Sequence, residues 1–431
     1  MMKRIVVIGG GAGGLELATQ LGEKLGRKKQ AEIVLIDRNN THLWKPLLHE
    51  VAAGSLDSDL DELSYRGHGA QHGFRFLLGD FCGIDRDNKT ITLRPLTDSD
   101  DELVLGERHI SYDIVVLAIG SVTQDFGISG IAEHCWFLDS TEQAERFHQK
   151  LLNQFLRVNQ RIEDGAEEQL SVGIVGGGAT GVELAAELVH SVKLLSIYGL
   201  DKLDRSHLSI TLLEAGPRLL PALPERLASD VEKQLQQLGV NVRVDTAVTS
   251  AQAGRLDIGD EEQLRTDLQV WAAGVKAPEF ISELGLTTRK NNQLVVDQYL
   301  RSIDDDSIYV IGDCAGFQMA DDKWTPPRAQ TAHQMAATAA KNIRKQLADK
   351  PLTSFKYKDR GSLVSLSRFT AVGNLMGSRS LSMTVEGRLA RLAYASLYRM
   401  HQRALHGWWR LLLMLLIDRV SHALRPRLKL H

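Results

Sequence analysis

Two stretches of this chain combine residue types and spacings suited to holding a phosphorylated nucleotide. The first is Lys3-Arg4-Ile5-Val6-Val7-Ile8-Gly9-Gly10-Gly11-Ala12-Gly13-Gly14, a β-branched run ending in glycines that leads into a helical pattern at Leu15, Leu17, Ala18 and Leu21. Gly9 permits a tight turn, Gly11 lets the backbone approach a pyrophosphate, and Gly14 lets the helix lie close on the strand. The helix start then offers unpaired N–H groups and partial positive charge to the phosphates. A second strand is expected over residues 32–36. It ends at Asp37, 23 residues past Gly14, near the ~20-residue spacing at which an acid meets ribose hydroxyls.

The same pattern returns as Val172-Gly173-Ile174-Val175-Gly176-Gly177-Gly178-Ala179-Thr180-Gly181, followed by a helix through Leu188 and a strand over Leu208–Leu213 ending at Glu214. Glu214 lies 33 residues past Gly181, so a lengthened helix and loop are expected between residues 189 and 205. A chain with two such fingerprints reads as having two dinucleotide sites. At the second, a strand-end carboxylate with no Arg or Lys before Arg218 predicts a ribose bearing free hydroxyls rather than a 2′-phosphate.

The elements that must position these loops follow from hydrophobic periodicity. Buried strands are expected at residues 112–121 (ending in Gly120), 268–273 (ending at Gly274) and 307–315, where Gly312 and Asp313 follow the apolar run. Further strands are expected at 74–78 and 90–93, with a turn over 80–88, and helices at 140–160 and 224–239. Residues 97–102 read as a hairpin tip and 161–169 as a charged linker. Pro326 and Pro327 open a helix in whose first turn a missing N–H costs nothing. Its residues Gln330 and Gln334, four apart, share a face.

At 431 residues, with 43% hydrophobic and 24% charged residues, the chain is expected to form two or three ordinary globular domains. A net charge of −3 argues against a nucleic-acid partner. Cys82, Cys135 and Cys314 are widely separated, which indicates no disulfide framework, no metal site and a reduced cytosolic compartment. The chain enters a strand directly, without a signal-peptide pattern. From Glu386 onward nine Lys/Arg stand against two acids. That segment carries Trp408 and Trp409 beside an apolar run of seven residues, 411–417, too short for the ~20 of a membrane span. Such a helix is expected to lie in a headgroup region.

Two fingerprints, the Ala118-Ile119-Gly120-Ser121 strand end and the Ile311-Gly312-Asp313 segment resemble flavoproteins with two dinucleotide-binding domains. More narrowly, the chain resembles the bacterial type II NADH dehydrogenases, single-subunit NADH:quinone oxidoreductases. The specific matches are Leu43-Trp44-Lys45-Pro46-Leu47-Leu48-His49-Glu50, Trp271-Ala272-Ala273-Gly274-Val275, residues 326–334, and the tail from Tyr398 to His431. The resemblance implies an α/β fold with two Rossmann-like domains and a membrane-associating C-terminal region. The expected boundaries are 1–125 and 276–345 for FAD, 126–275 for NADH, and 346–431 for quinone and membrane.

By that resemblance Gly9, Gly10, Gly11, Ala12, Gly13, Gly14, Asp37, Lys45, Gly120, Gly312, Asp313 and Ala329 bind non-covalent FAD. Gly176, Gly178, Gly181, Glu214 and Gly274 bind NADH. Glu183 relays a proton, while Gln330 and Gln334 meet the quinone. The implied setting is peripheral, at the cytoplasmic face of the bacterial inner membrane, against an anionic surface; homodimers are common in the family. No intramembrane chain of acids is visible, so no proton pumping is expected. Residues 39–55 hold no cysteine, so the thiol relay that related disulfide reductases keep there is ruled out. The rival readings are a sulfide:quinone oxidoreductase, which needs cysteines near the flavin, a soluble reductase serving a small iron protein, and a non-catalytic flavin-bound sensor or membrane-recruited binding module.

Overall fold

The computed structural model describes the backbone of residues 2–98, 100–195, 199–320, 322–366, 370–376, 382–386 and 388–424, and side chains over the same spans except 194, 370–397 and 418–424. In chain order the elements that matter for the site begin with β1 (Lys3–Ile8), α1 (Ala12–Leu21), β2 (Ala31–Asp37), α2 (Leu48–Ala53), α3 (Tyr65–His72), β3 (Arg75–Leu78) and β4 (Ile114–Leu117). Next come α4 (Thr141–Glu163), β5 (Leu170–Val175), α5 (Ala179–Leu195), β6 (Leu208–Leu213), α6 (Glu225–Gln237), β7 (Val240–Arg243) and β8 (Leu268–Trp271). The last are β9 (Ile308–Val310), α7 (Ala329–Gln346), β10 (Gly361–Leu366) and α8 (Arg388–Leu424).

These elements fall into two compact units. The first comprises Met1–Trp44, Glu62–Val122 and Val275–Lys358; the second comprises Lys45–Asp61, Thr123–Gly274 and Asp359–His431. The division thus assigns residues 45–61 to the second unit and makes no separate unit of the C-terminal region.

In the first unit a parallel sheet runs β9-β4-β1-β2-β3. Its central strand aligns Ile5 with Ile33 on one side and Ile114 on the other. Ile5, Val6, Val7, Leu35 and Val116 are fully buried, because helices cover both faces of a parallel sheet and leave no polar alternation. Each such side chain contributes roughly 1.5–3 kcal/mol. The expected turn over 80–88 is shorter than the sequence suggests: Phe81–Asp85 is a strand paired antiparallel with Thr90–Leu93. α7 starts at Ala329 with Arg328 in extended conformation at its N-cap, so the prolines precede the helix instead of forming its first turn. Pro326 contributes its carbonyl, which accepts a 2.8 Å hydrogen bond from Thr331 Oγ1.

The second unit repeats the plan with a parallel sheet β7-β6-β5-β8. The lengthened element expected before β6 is α5, which continues to Leu195. Ser140 caps α4, accepting from the Gln143 N–H at 3.2 Å. α8 is two helices joined at Gly407, whose φ of 75° and ψ of 176° break the helical path. Beyond it Trp408, Trp409, Leu412, Leu413, Leu416 and Ile417 are all exposed, while Leu411 is buried. The basic end of the expected tail, residues 425–431, lies outside the described residues. Among the described residues no helix is long and apolar enough to cross a membrane.

Each loop is held by a contact that only glycine permits. A Cβ on Gly14 would stand 1.9 Å from the Gly9 carbonyl oxygen, and one on Gly181 would stand 2.0 Å from that of Gly176. Backbone cannot yield as a flexible side chain does. Gly14→Ala and Gly181→Ala should each lower the thermal midpoint, with a loss of at least about 1–3 kcal/mol in denaturant titration. An unchanged midpoint in either variant would show that the loops are looser than this packing implies.

Candidate functional site

The first glycine loop sits at the carboxyl ends of β1 and β4. Gly9 has φ +97°, and a Cβ there would be 2.3 Å from the Ala118 carbonyl oxygen. A Cβ on Gly11, by contrast, would meet nothing within 4 Å. That open position at the start of α1 is where the backbone of such a loop meets a pyrophosphate. Asp37, at the end of β2, accepts the Gly10 N–H at 2.6 Å and the Asn39 N–H at 2.8 Å. Burial pushes its carboxyl upward, opposed by those N–H groups and by Arg38. Two oxygens retain lone pairs for ribose hydroxyls after these bonds are made.

Other expected residues of this unit gather around the loop. Asp313 Oδ2 accepts from Ser121 Oγ at 2.8 Å, one residue past Gly120, and the Asp313 carbonyl accepts from Gln293 Nε2 at 2.8 Å. Ala332 of α7 lies against the loop, with its Cβ 3.3 Å from where a Cβ on Gly13 would be. That places the Ala329 end of α7 and Gly312 in the same unit as the glycines. Tyr65, absent from the sequence reading, donates to the Gly10 carbonyl at 2.8 Å and fills the space a Gly10 side chain would need. Its partner lies 55 positions away and no local pattern announces it.

Gln330 and Gln334 start α7 together, but Gln334 spends both ends of its amide on Lys358. Nε2 donates to the Lys358 carbonyl and Oε1 accepts the Lys358 N–H, each at 2.9 Å. The face shared by the two glutamines thus carries one amide already committed to backbone.

The second unit builds the same device. Gly176 has φ +113°, with a Cβ there 2.7 Å from the Ala272 carbonyl carbon, and Gly178 again opens onto empty space. Glu214 accepts the Gly177 N–H at 2.6 Å and the Gly216 N–H at 2.7 Å. Lys45 also falls in this unit, 3.4 Å from Asp139, which in turn accepts the Thr123 N–H and hydroxyl.

In α5, Glu183, Glu187 and His190 line one buried stripe. Glu183 accepts the Ser365 N–H at 3.0 Å, and its other oxygen lies 3.7 Å from His49 Nδ1. His49 belongs to the Trp-Lys-Pro motif but received no role from sequence. Burial lowers it to about 4, against the charge of Glu187 and a hydrogen bond to Pro46 that act to raise it. The imidazole beside Glu183 is therefore neutral at physiological pH.

None of the three cysteines forms a disulfide. Burial raises the thiols of Cys135 to about 12 and Cys314 to about 11, and raises Cys82 as well, so all three stay protonated near neutrality. Cys314 is fully buried, its Sγ donating to the carbonyls of Ile311 and Leu117. Nothing here resembles an exposed thiolate nucleophile.

Two parallel sheets, each ending in a glycine loop tied to a strand-end acid, define a pyridine-nucleotide flavoprotein. The family model described as pyridine nucleotide-disulphide oxidoreductase matches residues 3–336. Within that class, the type II NADH:quinone oxidoreductase of Haemophilus influenzae is 50% identical over 444 aligned residues, covering 100% of both chains. The chain belongs to the type II NADH:quinone oxidoreductases. Among solved structures, NDH2 from Plasmodium falciparum in complex with NADH matches with a TM-score of 0.81 at 21% identity, covering 100% of each chain. The sulfide:quinone oxidoreductase from Aquifex aeolicus matches at 0.72 with 18% identity, covering 94% of this chain and 92% of that one. These two likenesses concern the fold.

The buried His49 makes stability pH-dependent. Burial depresses its folded value below the ordinary imidazole value of about 6.5, so the unfolded state takes up a proton first as pH falls. Stability should therefore decline as pH falls below about 6.5, until the folded imidazole itself takes up a proton near 4. Urea titrations across this range check it: His49→Gln should flatten that slope, and a slope unchanged by the variant would remove His49 as its source.

Proposed function

We infer that this enzyme oxidises NADH through non-covalent FAD and delivers the electrons to a membrane quinone, in ping-pong order and without pumping protons. The observation that carries the reading is the duplicated glycine loop, each copy locked by its own strand-end acid, in a chain whose family is defined by that reaction. FAD, when bound, accepts a hydride at N5 and releases its two electrons onward.

The residues divide the work. Gly9 to Gly14 and Asp37 hold the adenosine diphosphate half of the flavin nucleotide. Gly120, Gly312 and Asp313 serve its ribityl side, Ala329 brings the start of α7 to it, and Lys45 is assigned to it by resemblance. Gly176, Gly178 and Gly181 receive the NADH pyrophosphate, Glu214 its adenosine ribose, and Gly274 closes the far strand end. Glu183, buried beside a neutral imidazole, exchanges a proton during turnover. Gln330 donates to the quinone, while Gln334 holds the chain at Lys358.

The sulfide-oxidising alternative requires reactive thiols, and the protonated, buried Cys314 does not supply one. Purified protein with a short-chain quinone should turn over NADH and leave sulfide unoxidised; the reverse would overturn the assignment. Because Glu214 repels a 2′-phosphate, kcat/KM for NADH should exceed that for NADPH by roughly a hundredfold. Glu214→Gln combined with Ala215→Arg should erode that ratio. Equal use of both nucleotides by the wild type would dismiss Glu214 from this role.

The exposed stripe after Gly407 suits a peripheral anchor at the cytoplasmic face of the inner membrane. Its spacing, pairs of residues every four, puts six large apolar side chains on one helical face. Full immersion gains roughly 1.5–3 kcal/mol for each, and nearby basic residues add up to about 1 kcal/mol apiece on an anionic leaflet. A quinone with an isoprenoid tail stays in the bilayer, so the enzyme must come to it. Trp409→Glu with Leu413→Glu should move the protein from the membrane pellet to the supernatant while retaining FAD and NADH oxidation with a soluble quinone. Continued sedimentation with anionic vesicles would place the anchor elsewhere.

A further inference from the structure

Residues 124–128 carry a side chain that local propensity does not explain. Phe126 has φ +57° and Gly127 φ +69°, and the Ile128 N–H donates to the Asp125 carbonyl at 3.1 Å. Two consecutive positive φ angles closed by that bond make a turn of the I′ kind, whose first central position favours Asn, Asp or Gly. A bulky aromatic residue is out of place there. Nor is the ring recruited to a core, since Phe126 is 56% exposed.

The turn is nevertheless fixed in place. Trp271 Nε1 donates to the Gln124 carbonyl at 2.8 Å, and the Gln124 N–H donates to the Gly274 carbonyl at 3.3 Å. Ile128 and Ile131, just beyond the turn, pack into a cluster with Val175, Leu213 and Trp271. The Phe126 ring lies over Gly274, where a Cβ would come within 2.6 Å of its Cζ. Gly274 lacks a side chain to make room for this ring.

Strand order states which end of a dinucleotide meets it. In β7-β6-β5-β8 the sequence order reverses between β5 and β8, and ligands bind at such a switch point beyond the carboxyl ends of the strands. Glu214 ends β6 on one side of the β5 glycine loop, so the adenosine runs that way. The nicotinamide half must run the other way, toward the end of β8, where Phe126 stands.

We propose that Phe126 is a positioning residue for NADH, presenting an aromatic face to the nicotinamide at the β8 end of the site. The proposal rests on the reading of residues 176–181 as the NADH loop. It explains why a strained, exposed aromatic is kept at a turn position suited to Asn.

Calorimetry on the flavin-loaded protein tests it with two ligands, NAD+ and ADP-ribose, which lacks only the nicotinamide. Phe126→Asn should weaken NAD+ binding about tenfold and leave ADP-ribose binding unchanged. It should also hold or raise the thermal midpoint, because Asn suits the turn. Phe126→Tyr should retain wild-type affinity for NAD+. Wild-type NAD+ affinity in Phe126→Asn, or equal loss of both ligands, would overturn the proposal. If the wild type itself binds neither ligand, the assignment of the glycine loop fails, and the role of Phe126 with it.

Discussion

The structure depends on one short hydrogen bond made twice. At the end of the second strand of each sheet a carboxylate accepts the N–H of the middle glycine, Asp37 from Gly10 and Glu214 from Gly177, both at 2.6 Å. The bond is charge-assisted and therefore among the stronger kinds available to a backbone amide. It binds the loop to the neighbouring strand before any nucleotide arrives. The next glycine, Gly11 or Gly178, then faces open space at a helix N-terminus. Binding needs little rearrangement, because the donors are already aimed.

This device was legible because every part of it is local or periodic. Strand, glycines and helix are contiguous, and the acid follows at a spacing set by one βαβ unit. Even the longer second spacer reads correctly as added helix, which α5 supplies by continuing to Leu195. What escaped the sequence is what tertiary structure alone brings together. Tyr65 reaches Gly10, His49 reaches Glu183, and Ser121 reaches Asp313, across 55, 134 and 192 positions respectively. The strand Phe81–Asp85 hid because Gly83 and Asp85 make it look like a turn, and only its antiparallel partner Thr90–Leu93 gives it order. Gln334 shares a helical face with Gln330 as periodicity requires, yet periodicity has no view of Lys358.

The chemistry follows from what is present and what is withheld. The described cysteines are unpaired, buried to differing degrees and protonated, so the protein moves electrons without a thiol relay. Burial holds the His49 imidazole neutral 3.7 Å from the buried Glu183. In the second unit a broken helix exposes an apolar face that water alone does not favour.

We propose that the two copies of the loop hold different nucleotides, flavin in the first unit and NADH in the second. Gly11→Val and Gly178→Val test it side by side, since a Cβ at either position meets nothing within 4 Å. Anaerobic absorption spectra of the purified variants are the measurement. Gly11→Val should be colourless, whereas Gly178→Val should stay yellow, resist bleaching by NADH and bleach with dithionite. A yellow Gly11→Val, or a Gly178→Val that NADH bleaches as it does the wild type, would contradict this division of the two nucleotides.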